Sequence, residues 1–280
     1  MHTLWGVSSL LLVALTGYAV LRRLDQPKGP QQRRDLLVGV LAAPIVSLGV
    51  GLGGLHHFLG RTCFLRTPPW DYALGMGLPL TMGLVALGGL FLGVARLGVM
   101  WTVTVRRSRP AGAWLQALTD RLAARMRTLR PRILLYRSNR PFAIACGIRR
   151  PAVLLSTWMV DHLDRSELES VLAHELGHVA RRDYLMTWLA TVLRDGFLYM
   201  PTSWLAYRRL QQDNELACDD LAVKVTKKPL ALASALKKLE YGVQARPMDA
   251  NPATAHMFIV NPLRGSAIMN LFSTHPPIPE

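Results

Sequence analysis

The sequence has 280 residues, half of them hydrophobic and only 18% charged, and its 33 Lys and Arg against 18 Asp and Glu give a net charge of +15. Soluble enzymes ordinarily carry about a quarter charged residues, which excludes a typical soluble enzyme. A chain this basic suits nucleic acid or the anionic face of a membrane; apolar residues gathered into long runs favour the membrane, and no nucleic-acid partner is expected.

Three such runs fill the N-terminal third. Residues 4–21 form an apolar stretch just long enough for a bilayer core of about 30 Å. No basic residue precedes it and no small-x-small cleavage site follows, so an uncleaved span is expected here rather than a signal peptide. Residues 36–60 and 73–101 are the second and third expected spans. Their prolines and glycines (Pro44, Gly49, Gly53; Pro79, Gly89, Gly93) are tolerated in membrane helices, where small residues allow close packing. Arg22, Arg23, Lys28, Arg33 and Arg34 follow the first run, only Arg61 and Arg66 follow the second, and Arg106, Arg107 and Arg109 follow the third. By the positive-inside rule this alternation puts the first connection, and everything after the third run, in the cytosol. The expectation is a membrane region at 1–105 and a cytosolic domain at 106–280.

Trp114, Leu115, Leu118, Leu122, Met126 and Leu129 recur at helical spacing within 113–130, with Arg121, Arg125, Arg127 and Arg130 on other faces. Two readings are open: an amphipathic helix on the membrane surface, or a domain helix with a basic outer face. Short strand-like runs follow at 133–136 and 152–155, with a further strand candidate at 141–147 between them. Residues 184–206 are mostly apolar but interrupted by Arg194, Asp195 and Pro201, which are costly in lipid. A helix that grazes the membrane or packs in the domain is expected there.

The chemistry is concentrated in His174-Glu175-Leu176-Gly177-His178. A helix start precedes it, with Ser166 and Glu169 or Asp164 and Glu167 as alternative capping boxes. On that helix His174 and His178 share one face about 6 Å apart, a spacing at which two ring nitrogens reach one zinc ion at about 2.0–2.1 Å. Glu175 points beside such an ion, placed to take a proton from water that the metal acidifies. A catalytic zinc takes three protein ligands and keeps one position open. Arg181 and Tyr184 stand where a metzincin extension needs glycine and histidine. Within the next helical stretch, 208–225, Glu215 and Asp219 share a face at i, i+4, so Glu215 can complete the site while Asp219 accepts the far N–H of a ligating histidine. Asp183, Cys218, Asp220 and His256 are further ligand candidates. Cys63, Cys146 and Cys218 are odd in number and widely spaced, and make neither a disulfide framework nor a CxxC pair.

These motifs resemble the HtpX-type membrane zinc metallopeptidases, relatives of the CAAX prenyl endopeptidases. The resemblance rests on 171–178, on 215–219 (Glu215-Leu216-Ala217-Cys218-Asp219), and on the tail segments 257–263 and 271–277. The stretch 141–183, with 204–210 and Cys218-Asp219, is similar to BlaR/MecR-type sensor peptidases, but the chain shows no ligand-binding domain of that kind. The resemblance implies an α+β fold: N-terminal transmembrane helices, then a mostly α-helical zincin-like domain with a small β-sheet. It implies an integral-membrane endopeptidase with one Zn2+ per chain, held by His174, His178 and Glu215, with Glu175 as general base and Asp219 orienting a histidine. The strand 142–147 would hold an extended peptide, and His275 would stabilise the oxyanion. The expected substrates are membrane or misfolded proteins met at the cytosolic face of the cell membrane. The alternative is a signalling peptidase that cleaves one cytosolic regulator.

Overall fold

The computed structural model describes residues 2–23, 29–52, 69–147 and 150–245. The tail motif, His256, His275 and the end of the second apolar run (53–60) lie outside the described residues. In chain order the elements are α1 (His2–Arg23), α2 (Pro30–Leu52), α3 (Pro69–Arg106), β1 (Arg109–Pro110), α4 (Ala113–Arg125), β2 (Arg132–Tyr136), β3 (Ala143–Cys146), β4 (Ala152–Ser156), α5 (Thr157–His162), α6 (Arg165–Arg181), α7 (Asp183–Gly196), α8 (Pro201–Thr226) and α9 (Pro229–Ala245). This is the α+β class expected, mostly helical with one small mixed sheet. Two compact units form, residues 1–98 with 189–210 and residues 99–188 with 211–280.

In the first unit, helices cover the described parts of the three apolar runs, yet no helix among the described residues is long and apolar enough to cross a membrane. The expected spans are therefore present as helices and are not found as spans. The described part of α2 opens with the polar run Gln31-Gln32-Arg33-Arg34-Asp35, and the apolar end of its run falls beyond the described residues. Leu21 of α1 and Leu37, Val40 and Leu41 of α2 bury against Ala190, Ala206, Tyr207 and Leu210. The stretch read as ambiguous breaks into α7 and α8 and packs here. Its Arg194 is buried against Asp195 at 2.6 Å and lies over the rings of Trp204 and Tyr207, so the buried charge is compensated. The glycine pair on α3 is a packing device. A Cβ on Gly89 would fall 2.6 Å from the Asp195 carbonyl oxygen, and one on Gly93 would fall 3.2 Å from Val192.

In the second unit the strand order is β1-β2-β4-β3. β2 runs parallel to β4, while β1 and β3 are antiparallel to their neighbours. Leu115, Leu118 and Leu122 of α4 are buried with Ile133, Val153 and Leu155 of the sheet, Leu168, Val171, Leu172 and Leu176 of α6, and Leu232, Leu236 and Leu239 of α9. The apolar stripe of α4 is thus used by the core, which selects the domain-helix reading. Asp164 is the cap of α6: its carboxylate accepts from the Ser166 and Glu167 amides at 2.7 and 2.8 Å, while Glu167 accepts from the Asp164 amide at 2.8 Å. Glu167 also accepts from Ser234 and Lys238 of α9, both at 2.7 Å. One buried carboxylate therefore ties the start of α6 to α9.

Two outcomes follow for stability, both read from unfolding of the detergent-solubilised protein. Gly89→Ala is expected to cost about 1–3 kcal/mol by overpacking, whereas Gly49→Ala, whose Cβ meets nothing within 4 Å, leaves the midpoint unchanged or slightly raised. Burial alone would raise the Glu167 pKa, but Lys238, Ser234 and the Asp164 amide together hold it below the usual 4.5. Its stabilising contribution is then complete above about pH 4.5 and is lost as pH falls through the lowered value. Glu167→Gln is expected to lower stability by about 1–2 kcal/mol near neutral pH and to remove that part of the acid sensitivity.

Candidate metal centre

α6 positions both histidines because its cap starts the helix at Arg165 and an unbroken apolar face, Leu168, Val171, Leu172 and Leu176, seats it in the core. His174 is fully buried, and His178 sits at the edge of the site. Their Nε2 atoms approach to 3.2 Å with the rings nearly perpendicular, at 77°. Glu215 arrives from α8, its carboxylate oxygens 3.5 Å from Nε2 of His174 and 3.8 Å from Nε2 of His178. Donors about 2.0–2.1 Å from one tetrahedral ion stand roughly 3.3 Å apart, so this triangle has the size a single zinc requires. Two imidazoles and a carboxylate suit zinc's chemistry better than that of magnesium or calcium, which favour all-oxygen shells.

The reason the helices can come this close is Gly177. A Cβ there would lie 3.1 Å from Sγ and 3.3 Å from Cα of Cys218, so α6 and α8 touch backbone to backbone beside the site. Asp219 follows on α8 and takes the Nδ1–H of His174 at 2.8 Å. Burial opposes charge on His174, yet the Asp219 and Glu215 carboxylates outweigh it and hold the pKa up at about 10. The surroundings thus favour positive charge at the point where the ring nitrogens converge.

Glu175 is almost completely buried and lies outside the ligand triangle. Burial raises its pKa, offset in part by the two histidines and by a hydrogen bond from the Ala145 backbone on β3. That strand is the edge of the sheet among the described residues. Phe142 accepts the Ser156 amide at 3.0 Å, so with the observed register residues 142, 144 and 146 bond to β4, while Ala143 and Ala145 turn their amides and carbonyls away from it; Ala143 is buried and the Ala145 amide is the one that reaches Glu175. Cys146, on the same strand, is a buried thiol pushed up to about 12 by burial and the nearby Glu175, which makes it inert as a nucleophile.

Of the residues singled out in the sequence, the structure brings His174, Glu175, His178, Glu215 and Asp219 together. Asp183 and Cys218 lie on the far, Nδ1 side of His178, and Asp220 is exposed outside the group. Arg181, which the sequence shows only as a departure from the metzincin pattern, donates to Asp183, and Asn214, not singled out there, accepts from Arg181.

With this geometry in hand, the comparisons with known proteins are specific. The model of the BlaR1 peptidase M56 family matches residues 81–257. The chain belongs to that family. The chain is also similar to protease HtpX homologues. That of Thermodesulfovibrio yellowstonii is 34% identical over 203 residues, covering 59% of this chain and 72% of the relative. That of Salinibacter ruber is 36% identical over 203 residues, covering 62% and 73%. That of Thermococcus kodakarensis is 35% identical over 200 residues, covering 58% and 69%. The HtpX-type resemblance is borne out, and the M56 model meets the BlaR-type one. A solved structure of S. mikatae Ste24p shares 11% identity at a TM-score of 0.45, too remote for an inference. The chain is a metallopeptidase that hydrolyses peptide bonds of a protein or peptide substrate with a metal cofactor.

Because the ligand triangle depends on the contact at Gly177, Gly177→Ala is expected to force α8 away by a few tenths of an ångström. Zinc affinity, measured by chelator competition, falls about tenfold or more as the Glu215 carboxylate retreats. Unchanged affinity would mean that the helix contact does not set the site.

Proposed function

We propose that the chain is an integral-membrane zinc endopeptidase that cleaves membrane or misfolded proteins at the cytosolic face. The observation that carries this is the convergence of His174, His178 and Glu215 to the spacing of one tetrahedral ion, with Glu175 adjacent and outside the ligand set. Zinc bound there supplies Lewis acidity to the scissile carbonyl and to the attacking water. Glu175 takes the proton from that water and returns it to the leaving amine; burial lifts its pKa from the ordinary carboxylate range, which suits a general base. Asp219 holds His174 in the tautomer that points Nε2 at the metal. The β3 edge, whose Ala145 amide donates to Glu175, is where the resemblance places an extended substrate, beside the general base.

Membrane insertion is supported by the three apolar runs at 4–21, 36–60 and 73–101 and by the family resemblance. The cytosolic placement of 106–280 is supported by the basic residues after the first and third runs.

The expected result is that detergent-purified protein cleaves an unfolded protein such as casein, that a chelator abolishes cleavage and that zinc restores it. Glu175→Gln is expected to bind zinc normally while losing about 10²–10⁴-fold in kcat. Undiminished cleavage by Glu175→Gln would overturn the assignment, and cleavage confined to one regulator in cells would shift it to the signalling reading.

A further inference from the structure

On the far side of His178, opposite the ligand triangle, a second group of metal-type side chains gathers: Nδ1 of His178, a carboxylate oxygen of Asp183 and Sγ of Cys218. It is not suited to a second cation. With Nε2 engaged at the first site, Nδ1 carries the ring proton and has no lone pair to give. The same Asp183 oxygen already receives the Arg181 guanidinium at 2.9 Å, which places a positive charge where a second ion would sit.

The geometry points instead to Asp183 as the positioning residue of His178, and this rests on the metal-site reading above. Asp183 Oδ2 stands 3.3 Å from Nδ1 of His178, matching on the second histidine what Asp219 does on the first. Its side chain is only 2% exposed, so it holds a fixed orientation, and its charge is compensated by Arg181. Arg181 is fixed in turn by the Asn214 side-chain oxygen at 3.0 Å. Asn214 lies one residue before Glu215 on α8, so the chain of contacts runs from one ligand's neighbour back to another ligand.

The backbone explains how a residue five positions after His178 can reach it. Arg182 ends α6 in the left-handed conformation, φ 55° and ψ 36°, and α7 starts at the next residue. Asp183 is the first residue of that helix, where the unpaired amides favour a carboxylate. The Cys218 thiol donates to the same Asp183 oxygen at 3.6 Å, with its sulfur 3.3 Å from Nδ1 of His178, and is the third group around that oxygen. Asp183 thus selects the tautomer and ring angle that direct Nε2 of His178 at the metal, and Arg181 and Asn214 hold it to that task.

The test uses the full chain in detergent and two readouts, zinc affinity by chelator competition and the electronic spectrum of the cobalt(II)-substituted protein. Asp183→Ala is expected to weaken zinc binding about 10–100-fold and to change the cobalt spectrum. Asp183→Asn, which keeps an acceptor for Nδ1–H, recovers most of the affinity. Should Asp183→Ala fail to fold, Arg181→Met acts one contact further out and Asn214→Ala two, and each is expected to weaken binding several-fold. Wild-type affinity and spectrum in Asp183→Ala, or in both outer variants, overturn the assignment while leaving the metal site standing. Wild-type protein that takes up no zinc overturns the metal site and this assignment together.

Discussion

Helices α6 and α8 meet beside the site at a residue with no side chain, and the metal geometry depends on that contact. Gly177 separates Glu175 from His178, and the residue against it, Cys218, lies between Glu215 and Asp219. Glu215, the candidate ligand from α8, and Asp219, which bonds His174, therefore flank the contact point within one helical turn. A wider separation of the helix axes would move both together, because they ride on the same rigid element. The core on the other side of α6, with Glu167 tying its first turn to α9, keeps the helix from sliding along that contact.

Charge is arranged against the character of the whole chain. The molecule carries an excess of 15 positive charges, yet the residues around the two imidazoles are carboxylates: Glu175, Asp183, Glu215 and Asp219. Gathering them in a buried place is unfavourable unless positive charge is supplied. Arg181 supplies it on the outer side of His178, and the raised pKa of His174 shows that the inner side favours positive charge too. A divalent ion meets that demand without a proton. The cost of burying acidic groups and the affinity for metal are two aspects of one arrangement.

How much of this could be read from the residues varied with the range of the interaction involved. The helix period alone places His174 and His178 on one face, and i, i+4 spacing does the same for Glu215 and Asp219, so the local halves of the site were legible. The short strands at 133–136 and 152–155 were legible from their β-branched and aliphatic runs; the two-residue β1 was not, because Arg109-Pro110 carries no strand signal beyond its pairing with Leu135 and Leu134. The choice between two readings of α4 needed the core that consumes Leu115, Leu118 and Leu122. The sequence offers Asp183 only as a candidate ligand, without its partner, since an arginine in the left-handed region gives no warning of the turn at Arg182. The described parts of the three apolar runs read as spans are helical, and no helix among the described residues is long and apolar enough to cross a membrane. The glycine pair at 89 and 93 found its meaning only in the backbone of 192–196 that it lets approach.

On the proposed reading a substrate lies along the edge strand β3, whose two alanines turn their side chains into the core. A polypeptide joined to it contributes amides and carbonyls that every residue but proline possesses in full, so residue identity exerts little leverage. Conformation exerts much more. Only a segment already pulled straight, with its own hydrogen-bonding groups vacant, can dock along such an edge. On that reading, selection of this kind would sort clients by how readily a stretch of chain abandons its native partners, and a tightly folded neighbour in the same compartment would be spared by its own stability.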